Sequence, residues 1–502
     1  FNFSYNGYVR STIAVGLQDH DETAADDKFR MKQAELTLNL DFDIKTGPLN
    51  WKVITRFVKE EQTDYLDDLQ ERMDKAGGVF DVSGNFSGAN PQRGDFMDQY
   101  ETTDEVFDWL REIYFDVNLF DDRLLMRVGR QQLVWGESDF FQAMDVVHGY
   151  DFRNRLFYEN NEEWRKPLML FNFNLDLYEL GGSLNWYIRP GWDREADMGS
   201  SYNIEGGRWI PGPYRGVDFT QFTDSYNEDH DSGDWSDMTY GIRWNGSWGS
   251  IGYSFAYLKT FNPAPIVSPH STSSGNGAIA FVGGEGFEGD TFAFGGDEPN
   301  NPNSFLGDWM YPEIDVFGFT INGFNSAMDS TLSAEISYIP NAPYNYGSLK
   351  SSLPGWNGVK EKDTIKIMLR IDKEFKWMDA LGTHRPSLSS IQLFDTWVLA
   401  HDDDDLLVEF ASFGAPKKEH QAYLTLFTLL NYHRDTINPS FVIGTDLSRG
   451  GGFAIPAVEF VWGDDWRLKV EANLWWNDGD KKKTCGTAEN DFSDCVDSTG
   501  AA

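Results

Sequence analysis

The chain has 502 residues, 40% hydrophobic and 15% aromatic, and its 42 basic against 80 acidic side chains leave a formal net charge of −38. That balance lacks the basic patches phosphate recognition needs, which disfavours nucleic acid as a partner. No run of about 18 apolar residues occurs, which excludes a transmembrane helix.

The residues instead repeat with a period of two. Leu36, Leu38, Leu40, Phe42 and Ile44 alternate with Thr37, Asn39, Asp41 and Asp43. Ile113, Phe115, Val117 and Leu119 alternate with Tyr114, Asp116 and Asn118. Such a period puts one residue set on each face of a β-strand. In chain order, alternating stretches run over 2–16, 28–45, 50–60, 106–120, 123–136, 167–178, 182–190, 237–248 and 250–261. They continue over 312–323, 329–340, 362–375, 388–400, 420–432, 438–447, 453–462 and 466–476. This makes about seventeen strands with one oily and one wet face. Recurrence without a helical core predicts a lipid-embedded, all-β, transmembrane antiparallel up-and-down barrel of about 16–18 strands. It is read as a single domain over 1–502. Single-chain bacterial barrels mostly have even strand counts, so either a further closing strand is expected past the polar end at Ala502 or the count of seventeen is off by one.

Tight turns are expected at Thr46–Asn50, Asp121–Asp122, Gly249–Ser250 and Gly463–Asp465. Between them stand an inward-folded loop at about 137–166 and long loops at about 61–105, 191–236, 262–311, 341–361 and 401–419. Short turns on one side and long extracellular loops on the other is the asymmetry of a Gram-negative outer-membrane barrel. Lipid and lipopolysaccharide are then its surroundings. Trp51, Trp135, Trp186, Trp244, Trp248, Trp462, Trp466, Trp475 and Trp476 lie near strand ends and suit an interfacial girdle. Cys485 and Cys495, the only cysteines, are expected to form a local disulfide in an oxidising compartment. Acidic loops, with Asp402, Asp403, Asp404 and Asp405 the densest run, are weak candidates for Ca2+. No other cofactor is expected.

One region departs from the pattern. After Val128-Gly129-Arg130-Gln131-Gln132, the strand breaks at Trp135-Gly136-Glu137-Ser138. The stretch after Ser138 is too irregular for a strand and too apolar for a solvated loop. Phe140, Phe141, Met144, Phe152 and Phe157 are candidates for an apolar solute surface. Arg111, Arg127, Arg130, Arg153, Arg155 and Arg165, with Glu137 among the acids, are candidates for the pairs that hold it, because unpaired charges inside a barrel are costly. Ser138 and His148, with Asp145 or Asp151, could in principle make a triad, but no G-x-S-x-G elbow is present and an ordinary polar loop is the expected reading.

The Gly129-Arg130-Gln131 and Trp135-Gly136-Glu137-Ser138 pieces, followed by Asp145-Val146-Val147, resemble a large proteobacterial outer-membrane family catalogued as domain of unknown function 1302. The stretch from Asn438-Pro439-Ser440 through Trp475 is similar too. The chain departs where His148-Gly149 stand in place of the family's usual Asn-Pro. The resemblance implies traffic of hydrophobic or amphipathic molecules across the envelope, with a periplasmic lipid-carrier-like or efflux-type partner. The expected function is a channel for such solutes and no enzyme. A cation-preferring diffusion porin and a structural, surface-displayed barrel are the alternatives.

Overall fold

In the computed structural model each alternating stretch is a strand. Residues 2–18, 28–68, 79–80, 86–87, 101–138, 141–152, 161–194, 197–201, 235–267, 309–346, 358–376, 378–409 and 415–476 are described. The strands are β1 (Asn2–Val15), β2 (Met31–Thr46), β3 (Leu49–Glu60), β4 (Leu110–Leu119), β5 (Leu124–Gln131) and β6 (Leu168–Leu177). They continue as β7 (Gly182–Arg189), β8 (Thr239–Trp248), β9 (Ile251–Phe261), β10 (Glu313–Asn325), β11 (Ser330–Tyr346) and β12 (Gly358–Phe375). The last are β13 (Ser387–Val398), β14 (His420–Leu429), β15 (Ile437–Asp446), β16 (Gly451–Trp462) and β17, which has two segments, Trp466–Glu471 and Leu474–Trp476. Both segments of β17 lie along β16 in one unbroken register, from Trp462↔Trp466 to Gly452↔Trp476. The 18 strand segments of the sheet are therefore seventeen passes. Every pass is antiparallel to the next, an up-and-down meander. Among the described strands, β1 and β17 have one neighbour each.

Connections differ in length between the two ends of the strands. At one rim, short turns such as Gly249–Ser250 and Gly463–Asp465 link the strands. Gly249 sits at φ 63°, a left-handed turn conformation that costs glycine nothing. At the β4–β5 turn, Phe120, Asp121 and Asp122 all take positive φ, which aspartates tolerate better than most residues. The longest connections leave from the other rim; the exceptions to the pattern are the four-residue β15–β16 link there and the eleven-residue β12–β13 link at the turn rim.

The two faces of the sheet are inverted relative to a water-soluble protein. Polar side chains on the inner face, such as Thr37, Glu335 and Ser337, are fully buried. Large apolar side chains on the outer face are open: Phe255 is 55% exposed, Phe317 49% and Leu369 48%. Ile371, Ile391, Leu426 and Ile443 stand opposite one another across four strands, an unbroken outward apolar row. A continuous apolar surface of this extent needs an apolar surrounding. Phe120, Tyr178, Trp248, Phe324, Trp462 and Trp466 project at the short-turn rim, as a girdle requires. Trp135 does not belong to a girdle. It is 2% exposed and lies inside the sheet's curve.

Several expected boundaries shift. The stretch expected as strand over 123–136 ends at Gln131, because the chain after it turns inward. The loop expected over 341–361 is strand to Tyr346 and again from Gly358. Residues 191–194 and 197–201, expected in an external loop, fold inward beside the segment that turns in after Gln131. Within 401–419, a short pairing joins Val408 and Glu409 to Pro416 and Ala415.

Candidate functional site

The inward segment begins where the wall makes room for it. At Gly129, φ is 133° and a β-carbon would lie 2.2 Å from the Ile113 carbonyl oxygen, so only glycine fits. Two residues on, the Gln131 amide donates to the Leu170 carbonyl at 3.0 Å. The chain then crosses the interior. Leu133, Trp135, Met144, Val146 and Val147 pack on Leu168, Leu170, Tyr187, Leu258, Val316 and Ile339 of the inner wall. Burying each such side chain contributes roughly 1.5–3 kcal/mol. Trp135 donates from Nε1 to Asn185 at 2.7 Å. A β-carbon on Gly318 would fall 2.1 Å from the Met144 sulfur, so this glycine is the recess that receives Met144.

The opposite side of the segment is held by polar groups. Glu335 is 0% exposed, and its two carboxylate oxygens accept the backbone N–H of Glu137 and of Met144, each at 2.6 Å. Ser337 donates to the Ala143 carbonyl at 2.7 Å, Lys366 to that of Gln142 at 3.1 Å and Arg370 to that of Glu137 at 3.3 Å. Asn322 donates to the Glu137 carboxylate at 2.6 Å. Phe141 stacks between Phe394 and Tyr423, with centroids at 4.7 and 4.9 Å. Between Asn185 on β7 and Tyr423 on β14, the segment thus meets walls seven strand steps apart. In a flat sheet those walls would stand roughly 33 Å apart. The sheet therefore curves around the segment, and the segment bridges its lumen.

Behind the crossing lies a buried charge network. Arg165 donates from Nε and Nη2 to one oxygen of Asp145 at 2.9 and 2.6 Å, and Tyr150 donates to the same oxygen at 3.0 Å. Burial and the Asp145 charge hold the Tyr150 hydroxyl well above the usual phenol range. Arg130 and Arg194 both bind Asp197, and Arg194 reaches Glu105 and Asp108. Asp197 is buried, yet Arg130 and Arg194 hold its carboxyl below the ordinary range. Glu163 joins Arg10 of β1 and Arg56 of β3.

His148 links the two ends of the inward segment. Its Nε2 accepts the Leu133 N–H at 2.8 Å, so the proton sits on Nδ1 and is donated to the Lys166 carbonyl at 2.8 Å. Burial pushes its pKa down to about 4. An unfolded histidine titrates near 6.5. The contribution of this neutral lock is therefore present above about pH 6.5 and is lost as the pH falls toward about 4. Hydrogen exchange of residues 132–138, corrected for intrinsic rate, should accelerate on acidification from pH 7 to 4.5. An unchanged corrected rate would refute the lock.

Gly149 lies directly against the backbone of Gly199. A β-carbon on Gly149 would lie 1.7 Å from the Gly199 carbonyl oxygen. Gly149→Ala should destabilise the docked 197–201 segment by about 1–3 kcal/mol. The readout is a lower temperature for losing the folded band in semi-native electrophoresis, and an unaltered temperature would contradict the packing.

Of the residues the sequence singled out, Phe141, Phe152, Arg130 and Glu137 fall in or beside the crossing. Phe152 rests edge-on to Tyr150 and tilted on Trp164. Met144 is fully buried, so it is a packing residue and offers nothing to a solute. Arg127 pairs with Asp116 across β4 and β5 at 2.7 Å, away from the crossing. Phe140, Arg153, Arg155, Phe157, Cys485 and Cys495 lie outside the described residues. Asp402 caps its own turn by accepting the Asp404 N–H, and Asp405 pairs with Lys360 and Lys362. Among the described residues no group of three or more His, Cys, Asp or Glu is placed to hold a metal. Ser138, Asp145 and His148 do not converge. Ser138 accepts the Phe141 N–H, Asp145 takes Arg165, and both ring nitrogens of His148 engage backbone.

The residues missed are Glu335, Asp145 as the ion-pair partner of Arg165, and Lys366. Glu335 did carry a signal. It is the one charge among Thr331, Ser333, Glu335 and Ser337, an inward set alternating with Leu332, Ala334 and Ile336.

A family profile described as "Protein of unknown function (DUF1302)" matches residues 14–499. No curated protein matches the chain. Among solved structures, it is similar to OccAB4 of Acinetobacter baumannii at 9% identity and TM-score 0.41, covering 94% of this chain and 92% of that one. It is similar to a BenF-like porin from Pseudomonas fluorescens Pf-5 at 9% identity and TM-score 0.41, covering 95% and 93%. The outer membrane channel DcaP of Acinetobacter baumannii is similar at 11% identity and TM-score 0.36, covering 95% and 97%.

Proposed function

The chain belongs to the DUF1302 family, and from that premise we propose that it is an outer-membrane channel for hydrophobic or amphipathic small molecules, gated by its inward segment. The observation that carries this reading is the crossing itself, which puts an aromatic-bearing strap through the interior of a sheet whose outer face is apolar. Lipid and lipopolysaccharide would surround the outer face, with the long-loop rim extracellular. The inner walls differ in chemistry, as an amphipathic solute asks. Arg10, Arg56, Lys52 and Asp41 line the β1–β3 side. Register places Tyr423, Phe427, Val442 and Ile455 on the inner face of β14–β16. A lipid-carrier-like or efflux-type periplasmic partner, implied by the family resemblance, would meet the short-turn rim.

The test is transport in proteoliposomes of octanamide against sucrose, beside empty liposomes. Faster octanamide equilibration through the protein, with sucrose retained, supports the reading. Rapid passage of both solutes would make the chain a diffusion porin, and passage of neither would leave it a structural barrel.

A further inference from the structure

Two neighbouring rows of the inner wall have opposite chemistry. Lys366, Thr396 and Gln421 stand side by side on β12, β13 and β14. Met368, Phe394 and Tyr423 form the parallel row two residues nearer the short-turn rim. Rows so spaced lie roughly 7 Å apart. The inward segment completes both. The Gln142 carbonyl meets Lys366, while Phe141 lies between Phe394 and Tyr423. Lys417 closes the polar row from the long-loop side, donating to Gln421 Oε1 at 2.6 Å; its ammonium stands within electrostatic range of Lys366, as does the Glu335 carboxylate, whose two oxygens are taken by the crossing.

The pairing of these two lysines needs an explanation. Like charges facing each other in a partly desolvated wall repel. Acids outnumber bases 80 to 42 in this chain, yet among the described residues none comes within ion-pair distance of Lys366. Lys366 gives one hydrogen bond to a neutral carbonyl, and an ammonium has three donors. By contrast Lys360 and Lys362, on the same strand, share Asp405. Lys366, Thr396 and Tyr423, on the inner face by register, and Phe141 on the crossing are all half-buried, not sealed.

We infer that this corner of the lumen is a binding site for an amphipathic monoanion, a carboxylate held by Lys366 and Lys417 with its apolar body laid against Phe141 and Tyr423. The assignment rests on the lumen being a solute path and names the solute class. A carboxylate between the two ammonium groups relieves their repulsion and takes up the spare donors of Lys366. An apolar body of a few carbons spans the step to the aromatic row.

The test is calorimetric titration of the full chain in lipid nanodiscs, with empty nanodiscs subtracted. Three probes are used: octanoate, its neutral counterpart octanamide, and acetate. Octanoate should bind at least tenfold more tightly than either of the others. Lys366→Met should abolish the preference for octanoate over octanamide, and Lys366→Arg should restore most of it. Lys417→Gln, outside the strands, should weaken octanoate severalfold, and Phe141→Ala should weaken octanoate and octanamide alike. Equal binding of octanoate and octanamide, a preference that survives Lys366→Met, or acetate binding as well as octanoate would each overturn the site. Binding is read without permeation, so a protein that binds octanoate but transports nothing keeps the site and loses the channel. One that transports octanamide without preferring octanoate does the reverse.

Discussion

Arg165→Met should destabilise the folded interior by about 3–5 kcal/mol, because it strips a buried carboxylate of its cation. Asp145 is 1% exposed and receives both Arg165 nitrogens and the Tyr150 hydroxyl on one oxygen. Its other oxygen is buried without a partner. Once the guanidinium is gone, the Tyr150 hydroxyl remains on the carboxylate, a neutral donor that does not compensate its charge. Asp145→Leu combined with Arg165→Met should cost markedly less than the single change, since no lone charge is then left inside. Urea unfolding in lipid reads both variants. A loss under about 1 kcal/mol for Arg165→Met would show that water reaches Asp145 and that the network is not sealed.

A comparable loss is expected at Glu335. Its two oxygens each take one backbone N–H of the crossing at 2.6 Å. Hydrogen bonds to an ionised group contribute about 1.5–3 kcal/mol each. Glu335→Ala should therefore raise the exchange rates of the Glu137 and Met144 amides by about 10²–10⁴-fold, with little change at strands remote from the crossing. Glu335→Gln should fall between, since its amide keeps one acceptor oxygen but turns N–H groups toward the other donor. Exchange unchanged in Glu335→Ala would mean that the apolar anchors alone fix the segment.

Features of this molecule are legible in its sequence where the physics behind them is local. Strand positions are a local matter, because alternation such as Leu36 to Ile44 needs no partner to be read. All seventeen alternating stretches are strands, and the family resemblance agrees with the profile match over residues 14–499. The inward turn is legible as well, from the break at Gly136 and the apolar run after it. The identity of its partners is not. The acids holding Arg127, Arg130 and Arg165 are Asp116, Asp197 and Asp145, and the wall group pinning Glu137 is Glu335, almost two hundred residues later. Such pairs are set by curvature and register, which a linear reading does not contain. Met144 shows the same limit. An apolar residue in a loop reads equally as solute contact or as packing, and only the recess at Gly318 decides for packing.

Closure of the lumen by residues 132–152, in a lipid-embedded barrel, is open to single-channel recording in a planar bilayer. The intact protein is recorded beside a variant lacking residues 139–157, both first shown to be folded by heat-modifiable mobility. The intact protein should be closed or barely conducting, with large, steady conductance once the crossing is removed. Large, steady conductance from the intact protein, unchanged by the deletion, would contradict closure.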